Sequence, residues 1–132
     1  MTRKQAREIM MQLLFELEAG DEMNIETLEA KCDERISGKE QERARTILRA
    51  ILTNLDSIDE SINRCSRSWK TSRMPKVDLA ILRLAIGESR YADDVTAAVV
   101  VSESINLARK FSTDQSAPFI HGVLGTILKD EQ

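Results

Sequence analysis

Aromatic residues are scarce in this chain: Phe, Trp and Tyr make up 4% of its 132 residues. A core must therefore be built mainly from Leu, Ile, Val, Ala and Met. Sheets draw on aromatic and β-branched residues, so this composition favours packed helices. The hydrophobic fraction of 42% and the charged fraction of 31% exclude a largely disordered chain. The length indicates one domain, residues 1–132.

Metal ligands and disulfide partners are equally few. The two cysteines, Cys32 and Cys65, match no zinc-binding spacing, and the single histidine, His121, cannot complete a cluster. We expect no metal site and two reduced thiols, as is usual in the cytoplasm. No apolar run reaches the ~18 residues that span a bilayer, and the N-terminus has no signal-peptide pattern. These absences predict a cytoplasmic protein without a membrane segment.

The residues needed for catalysis do not form a pattern either. No motif supplies His121 with a nucleophile and an orienting partner. The five glycines are scattered, so the sequence contains neither a P-loop nor a Rossmann phosphate loop. We therefore expect neither enzymatic activity nor a cofactor.

Helical periodicity is the dominant signal that is present. Apolar residues recur at the 3.6-residue spacing of amphipathic helices throughout the chain. The stretch 79–86 is apolar nearly all round, which is typical of a central helix. The fold class is thus a compact all-α domain of about seven helices, predicted at about 3–19, 25–35, 39–54, 57–65, 75–91, 97–110 and 116–129.

Several helix boundaries have a recognisable chemical signal. Gly20 is predicted to end the first helix and Pro75 to start the fifth. Three pairs match the capping box, in which two side chains each accept a backbone N–H at the start of a helix. These pairs are Thr2 with Gln5, Ser37 with Glu40, and Ser57 with Glu60.

Positive charge is concentrated between residues 64 and 76. The net charge of −3 gives no general argument for nucleic-acid binding, so such an argument depends on local clusters. Five basic residues occur here without an acidic one, and Trp69 lies among them. A segment of this kind is suited to hold phosphates and stack a base. The alternative is a solvated loop with Trp69 anchored in the core. The five are Arg64, Arg67, Lys70, Arg73 and Lys76.

A second basic cluster, Arg3, Lys4 and Arg7, lies at the start of the first helix. The free N–H groups of a helix N-terminus attract anions, and basic side chains beside them strengthen that attraction. The cluster therefore predicts a phosphate site. An ordinary solvated helix start is the alternative.

Four segments, in this order, are similar to the NusB family. The first is RKQARE leading to QLLF, and the second runs from Trp69 and Lys70 through Arg73 to VDLAILRLA and Glu88. The third is VVVSESINLARKF. The fourth is FIHGVL, which resembles the family's Phe-x-Asn-Gly-Val-Leu signature with His121 in place of Asn.

The resemblance implies an all-helical fold of two small bundles and a function in transcription. It implies binding to the single-stranded boxA element of nascent RNA, together with a small-subunit ribosomal protein, NusE. The pair is expected to assemble on RNA polymerase and suppress termination, notably in ribosomal RNA operons. Such a protein is a clamp rather than an enzyme.

The resemblance also assigns roles to individual residues. It implies RNA contacts at Arg3, Lys4 and Arg7, at Phe15 where members often have Tyr, and at Gln115 in a loop that approaches RNA in the family. Lys70 and Arg73 are further RNA-binding candidates from the basic segment. Glu88 and Tyr91 are candidates for the partner-protein face. The alternative function is a protein-interaction module or homodimer of the same fold without specific RNA binding.

Overall fold

The structure, a computed structural model, describes residues 1–20 and 24–130. Within these ranges the chain forms seven helices and no strand, which confirms the predicted all-α fold. Each helix lies within a few residues of its predicted position. The helices are α1 (Arg3–Glu18), α2 (Ile25–Arg35), α3 (Lys39–Thr53), α4 (Leu55–Cys65), α5 (Lys76–Tyr91), α6 (Ala97–Phe111) and α7 (Ser116–Asp130).

The predicted boundaries of α1 are confirmed. The Thr2 hydroxyl accepts the Gln5 backbone N–H at 3.1 Å, and the Gln5 side chain accepts the Thr2 N–H at 2.8 Å. This is the reciprocal capping box. At the other end, Gly20 has a φ of +100°, a conformation that favours glycine. The chain therefore leaves the helix after Ala19.

The other two predicted capping boxes are wrong. α3 begins after Gly38, whose φ of +67° redirects the chain, and no side chain caps it. α4 begins at Leu55, two residues before Ser57, because Asn54 both ends α3 and precedes α4. The Asn54 amide donates backwards to the Ala50 carbonyl at 2.8 Å. Ser57 therefore lies inside the first turn of α4 and does not cap it.

α5 is the central helix, as its apolar sequence predicts. Every residue from Asp78 to Glu88 is buried. On one side α5 packs against α1 and α3, which contact α2. On the other side it packs against α4, α6 and α7. The result is two small helical bundles that share α5 and one hydrophobic core.

Arg83 of α5 connects the two bundles. Its guanidinium donates to Asp59 of α4 at 2.9 and 2.7 Å and to Glu18 of α1 at 2.8 Å. Burial opposes the charge on Arg83, but the hydrogen bonds from these two carboxylates outweigh it and raise the Arg83 pKa. No helix in the described ranges is long and apolar enough to cross a bilayer.

Candidate nucleic-acid interface

Arg3 and Arg7, two of the three predicted RNA-binding cations of α1, lie in ion pairs. Arg7 donates hydrogen bonds of 2.9, 3.0 and 2.7 Å to the Glu88 carboxylate of α5. Arg3 pairs with Glu40 of α3 at 3.2 Å and with Asp94, which follows α5, at 3.1 Å. These pairs hold the first two turns of α1 against α3 and α5.

Glu88 lies at the centre of this ion-pair network. Its carboxylate also accepts from Arg43 at 2.8 Å, and Arg43 bonds Asp94 at 3.0 Å. The hydrogen bond from Arg43 lowers the pKa of the Asp94 carboxyl. Glu88 is 2% exposed and Arg7 is 6% exposed. The Glu88 carboxylate is thus enclosed by the guanidinium groups of Arg7 and Arg43. The RNA contact of Arg7 and the partner contact of Glu88 stay predictions, and each would require a side chain to leave this network.

Lys4, the third cation of this cluster, forms no ion pair in the described part of the chain. It lies in a groove of about 350 Å³ between the start of α1 and the second half of α6. We call this the α1–α6 groove. Arg109 lines it and is likewise exposed without an ion pair among the described residues. The lining residues are Lys4, Arg7, Glu8, Glu103, Asn106, Leu107, Arg109 and Lys110.

Lys110 connects the two walls of the groove. Its ammonium donates to the Glu8 carboxylate at 2.7 Å and lies 5.3 Å from the centre of the Phe111 ring. Sequence reasoning did not assign a role to Arg109 or Lys110. Two adjacent cations in the last turn of a helix are a visible signal, but their position beside Lys4 depends on the packing of α1 and α6 around α5.

Phe15 lies on the same face of α1 as Lys4. The spacing Lys4, Glu8, Gln12 and Phe15 follows successive helical turns, and Lys110 contacts this face through Glu8. Phe15 is 37% exposed. An exposed ring on the face that carries the groove cations offers a surface on which a base can stack.

The loop that contains Gln115 is held against the start of α5. Ser112 donates to the Asp78 carboxylate at 2.5 Å, and Asp78 is fully buried. Ser112 and Thr113 also share hydrogen bonds with Ser116, at 2.9 and 3.0 Å. These contacts leave the side chain of Gln115 exposed.

The basic segment between α4 and α5 is not a uniform cationic surface. Lys70 donates to the Asn63 carbonyl at 2.7 Å and to the Ser66 carbonyl at 3.4 Å, so it caps the end of α4. Arg73 is exposed and has no ion pair within the described ranges. Trp69 is 39% exposed and contacts Phe119 edge-on, with 5.1 Å between ring centres. Trp69 is therefore neither fully anchored in the core nor fully free to stack a base, since one side of the ring packs and the other faces solvent.

A sequence model described as the NusB family matches residues 4–129. The chain belongs to the NusB family. Its relatives include the transcription antitermination protein NusB of Alkaliphilus oremlandii, 38% identical over 132 residues, which cover 99% of this chain and 96% of the relative. The NusB of Natranaerobius thermophilus is 37% identical over 131 residues, which cover 96% of this chain and 94% of that protein.

Solved NusB structures share the fold. T. maritima NusB superimposes with a TM-score of 0.88 at 32% identity, covering 98% of this chain and 92% of that one. A crystal structure of the antitermination factors NusB and NusE in complex with dsRNA matches with a TM-score of 0.83 at 23% identity. The match covers 97% of this chain and 96% of that one. The two-bundle fold implied by the NusB resemblance is therefore confirmed.

Tyr91 and His121, two further positions singled out by the resemblance to NusB, lie on α5 and α7. Tyr91 is half-buried at the end of α5 and lines a pocket with Lys39, Arg43 and Thr46. His121, where the NusB signature usually has Asn, is exposed on α7. The described residues contain no group of three or more potential metal ligands. Burial raises the pKa of the Cys32 thiol to about 11.

Proposed function

We propose that this chain is an RNA-binding transcription antitermination factor. It binds boxA-type single-stranded RNA together with a NusE-type small-subunit ribosomal protein, and the pair joins the RNA polymerase antitermination complex, notably at ribosomal RNA operons. Membership of the NusB family and the names of its full-length relatives support this function. In this proposal the protein is one domain, works in the cytoplasm, and is a clamp rather than an enzyme.

The α1–α6 groove is the observation that carries the proposal. Lys4 and Arg109 offer ammonium and guanidinium groups that form no ion pair with an acid among the described residues. Lys110 adds a third cation at the same place. Phosphate contacts of this kind supply affinity without sequence information. Sequence preference then comes from bases that stack on exposed rings and bond polar side chains.

Individual residues take the following roles in the proposal. Lys4 contacts phosphate, and Phe15 stacks a base. Gln115 reaches RNA from the loop that Ser112 anchors. Arg73, beside the half-exposed Trp69, forms a second contact region, in which Lys70 positions the loop. Tyr91 is the more accessible of the two candidates for the ribosomal-protein contact at the end of α5, because Glu88 is enclosed.

The test is binding of a fluorescent boxA-like single-stranded RNA at fixed near-physiological salt. A scrambled RNA and a boxA duplex serve as controls, the latter because the related NusB–NusE complex contains dsRNA. We expect tighter binding to single-stranded boxA RNA, and a further gain when the NusE-type protein is added. Equal, weak binding to all three RNAs, unaffected by that protein, would contradict the proposal.

A homodimer without specific RNA binding is the second candidate. A trough of about 610 Å³ between α6 and α7 supports it, since its floor is apolar. Light scattering after gel filtration measures the mass directly. A stable dimer that Val101→Glu in this trough dissociates would favour this candidate, whereas a monomer would exclude it. The apolar residues of the trough include Val101, Ile105, Leu124 and Leu128.

A further inference from the structure

Glu8 places a negative charge inside the α1–α6 groove. Its carboxylate accepts the Lys110 ammonium at 2.7 Å, and the Glu8 side chain is 19% exposed whereas that of Lys110 is 59% exposed. Glu8 also follows Lys4 by one helical turn, so it lies between the cations of α1 and those of α6. The pair therefore holds Lys110 across the groove in the free protein.

A phosphate that enters the groove meets this carboxylate. Lys110 can bind the phosphate only if Glu8 moves away or if the two anions share one ammonium at close range. Like charges at such a distance repel, and the repulsion grows as water is excluded. Either route makes binding weaker than the number of cations in the groove would suggest.

We propose that Glu8 is a built-in competitor of RNA that occupies Lys110 in the free protein and releases it when a phosphate binds. The inference rests on the proposed function. Phosphates are the same in every RNA, so the competition lowers the affinity for all sequences by one factor. Its consequence is that the groove cations alone hold non-specific RNA weakly, and binding depends on the additional base contacts.

The test compares Glu8→Gln with Glu103→Gln. Both variants remove one acid from the lining of the same groove, but the described residues place only Glu8 against Lys110. Affinities for boxA-like and scrambled single-stranded RNAs are measured over a range of salt concentrations. The same measurements on Lys110→Gln and on the double variant Glu8→Gln/Lys110→Gln complete a cycle that isolates the coupling between the two residues. Thermal unfolding followed by circular dichroism verifies that each variant is folded.

We expect Glu8→Gln to bind both RNAs about two- to fivefold more tightly, which is the range for one partly exposed ion pair. The slope of log affinity against log salt should steepen by less than ~0.7, because the contact between Lys110 and phosphate no longer leaves a free Glu8 carboxylate that attracts a cation. In the Lys110→Gln background the gain should shrink to the smaller effect that Glu103→Gln produces.

Three results would overturn the inference. Glu8→Gln binding no more tightly than the wild type would show that no competition exists. A gain equal to that of Glu103→Gln, or one that persists without Lys110, would show a general charge effect. If neither the wild type nor Glu8→Gln binds RNA, the proposed function fails as well. If the wild type binds and Glu8→Gln is unchanged, only the inference fails.

Discussion

Arg7 of α1 and Glu88 of α5 form a buried ion pair, with three hydrogen bonds between 2.7 and 3.0 Å, across 81 positions of the chain. Their side chains are 7% and 2% exposed. Glu88 also binds Arg43 of α3. One carboxylate thus holds three helices together, and its partner Arg7 lines the α1–α6 groove, so this contact fixes the α1 wall of the groove.

Glu88→Ala should destabilise the fold more than Arg7→Met. Loss of Glu88 leaves the buried Arg7 guanidinium without a carboxylate and Arg43 with Asp94 alone, whereas loss of Arg7 leaves Glu88 still paired with Arg43. We expect Glu88→Ala to lower the free energy of unfolding by about 3–5 kcal/mol, the usual cost of breaking a buried ion pair. Urea unfolding measures both variants.

The control for these two variants is Arg64→Ala, which removes an exposed partner of Glu60 at 3.8 Å. It should change the free energy of unfolding by less than about 1 kcal/mol. If Glu88→Ala were as mild as this control, the buried network would not be the element that holds α1 in place.

The charge of Asp94 should make stability depend on pH at the acid end. The hydrogen bond from Arg43 lowers its folded-state pKa below the ordinary value of 3.8. Such a group stabilises the fold above its unfolded pKa, and the contribution is lost as the pH falls through the folded pKa. Asp94→Asn should therefore be less stable than the wild type near pH 6, by less than about 1 kcal/mol because the group is partly exposed.

The difference in free energy of unfolding between the Asp94→Asn variant and the wild type should disappear as the pH falls below the folded-state pKa of Asp94. Urea titrations at a series of pH values test this. A difference that stays constant from neutral to strongly acidic pH would assign the effect to packing rather than to the charge.

Gly87→Ala should destabilise the protein although alanine favours helices. A Cβ at Gly87 would overlap the side chain of Ile51 in α3, which is fully buried and would have to shift. Overpacking of this kind costs about 1–3 kcal/mol, more than the helix gain of about 1 kcal/mol. Thermal and urea unfolding show whether Gly87→Ala lowers or raises the free energy of unfolding.

Gly125→Ala is the matched control, because a Cβ there meets nothing within 4 Å. It lies within α7 and should stabilise the fold by up to about 1 kcal/mol. Stabilisation by Gly87→Ala as well would show that α3 and α5 approach each other less closely than the structure indicates.

Periodicity in the sequence is sufficient to predict the seven helices and the central place of α5. Local signals are less reliable at helix starts. The pair Thr2 and Gln5 forms its box, but Gly38 and Asn54 determine where α3 and α4 begin. A backbone turn and a shared helix boundary leave no mark in the side-chain pattern that the capping-box rule detects.

Prediction of the site is limited by interactions between distant segments. Arg3, Lys4 and Arg7 are equivalent as charges in a sequence, yet only Lys4 stays unpaired among the described residues. The acids that bind the two arginines come from α3, from α5 and from the loop after it. Arg109 lies beside Lys4 for the same reason. Such pairings follow from tertiary packing, which no local spacing reveals.

The double variant Lys4→Gln/Arg109→Gln tests most directly whether RNA binds in the α1–α6 groove. Its affinity for boxA-like single-stranded RNA is measured against salt, beside Lys39→Gln, which removes an exposed cation from α3. We predict weaker binding and a salt slope shallower by about 1.4, at roughly 0.7 for each phosphate that is no longer neutralised, with no change in the control. An unchanged slope in a folded double variant would contradict the account and place the RNA elsewhere.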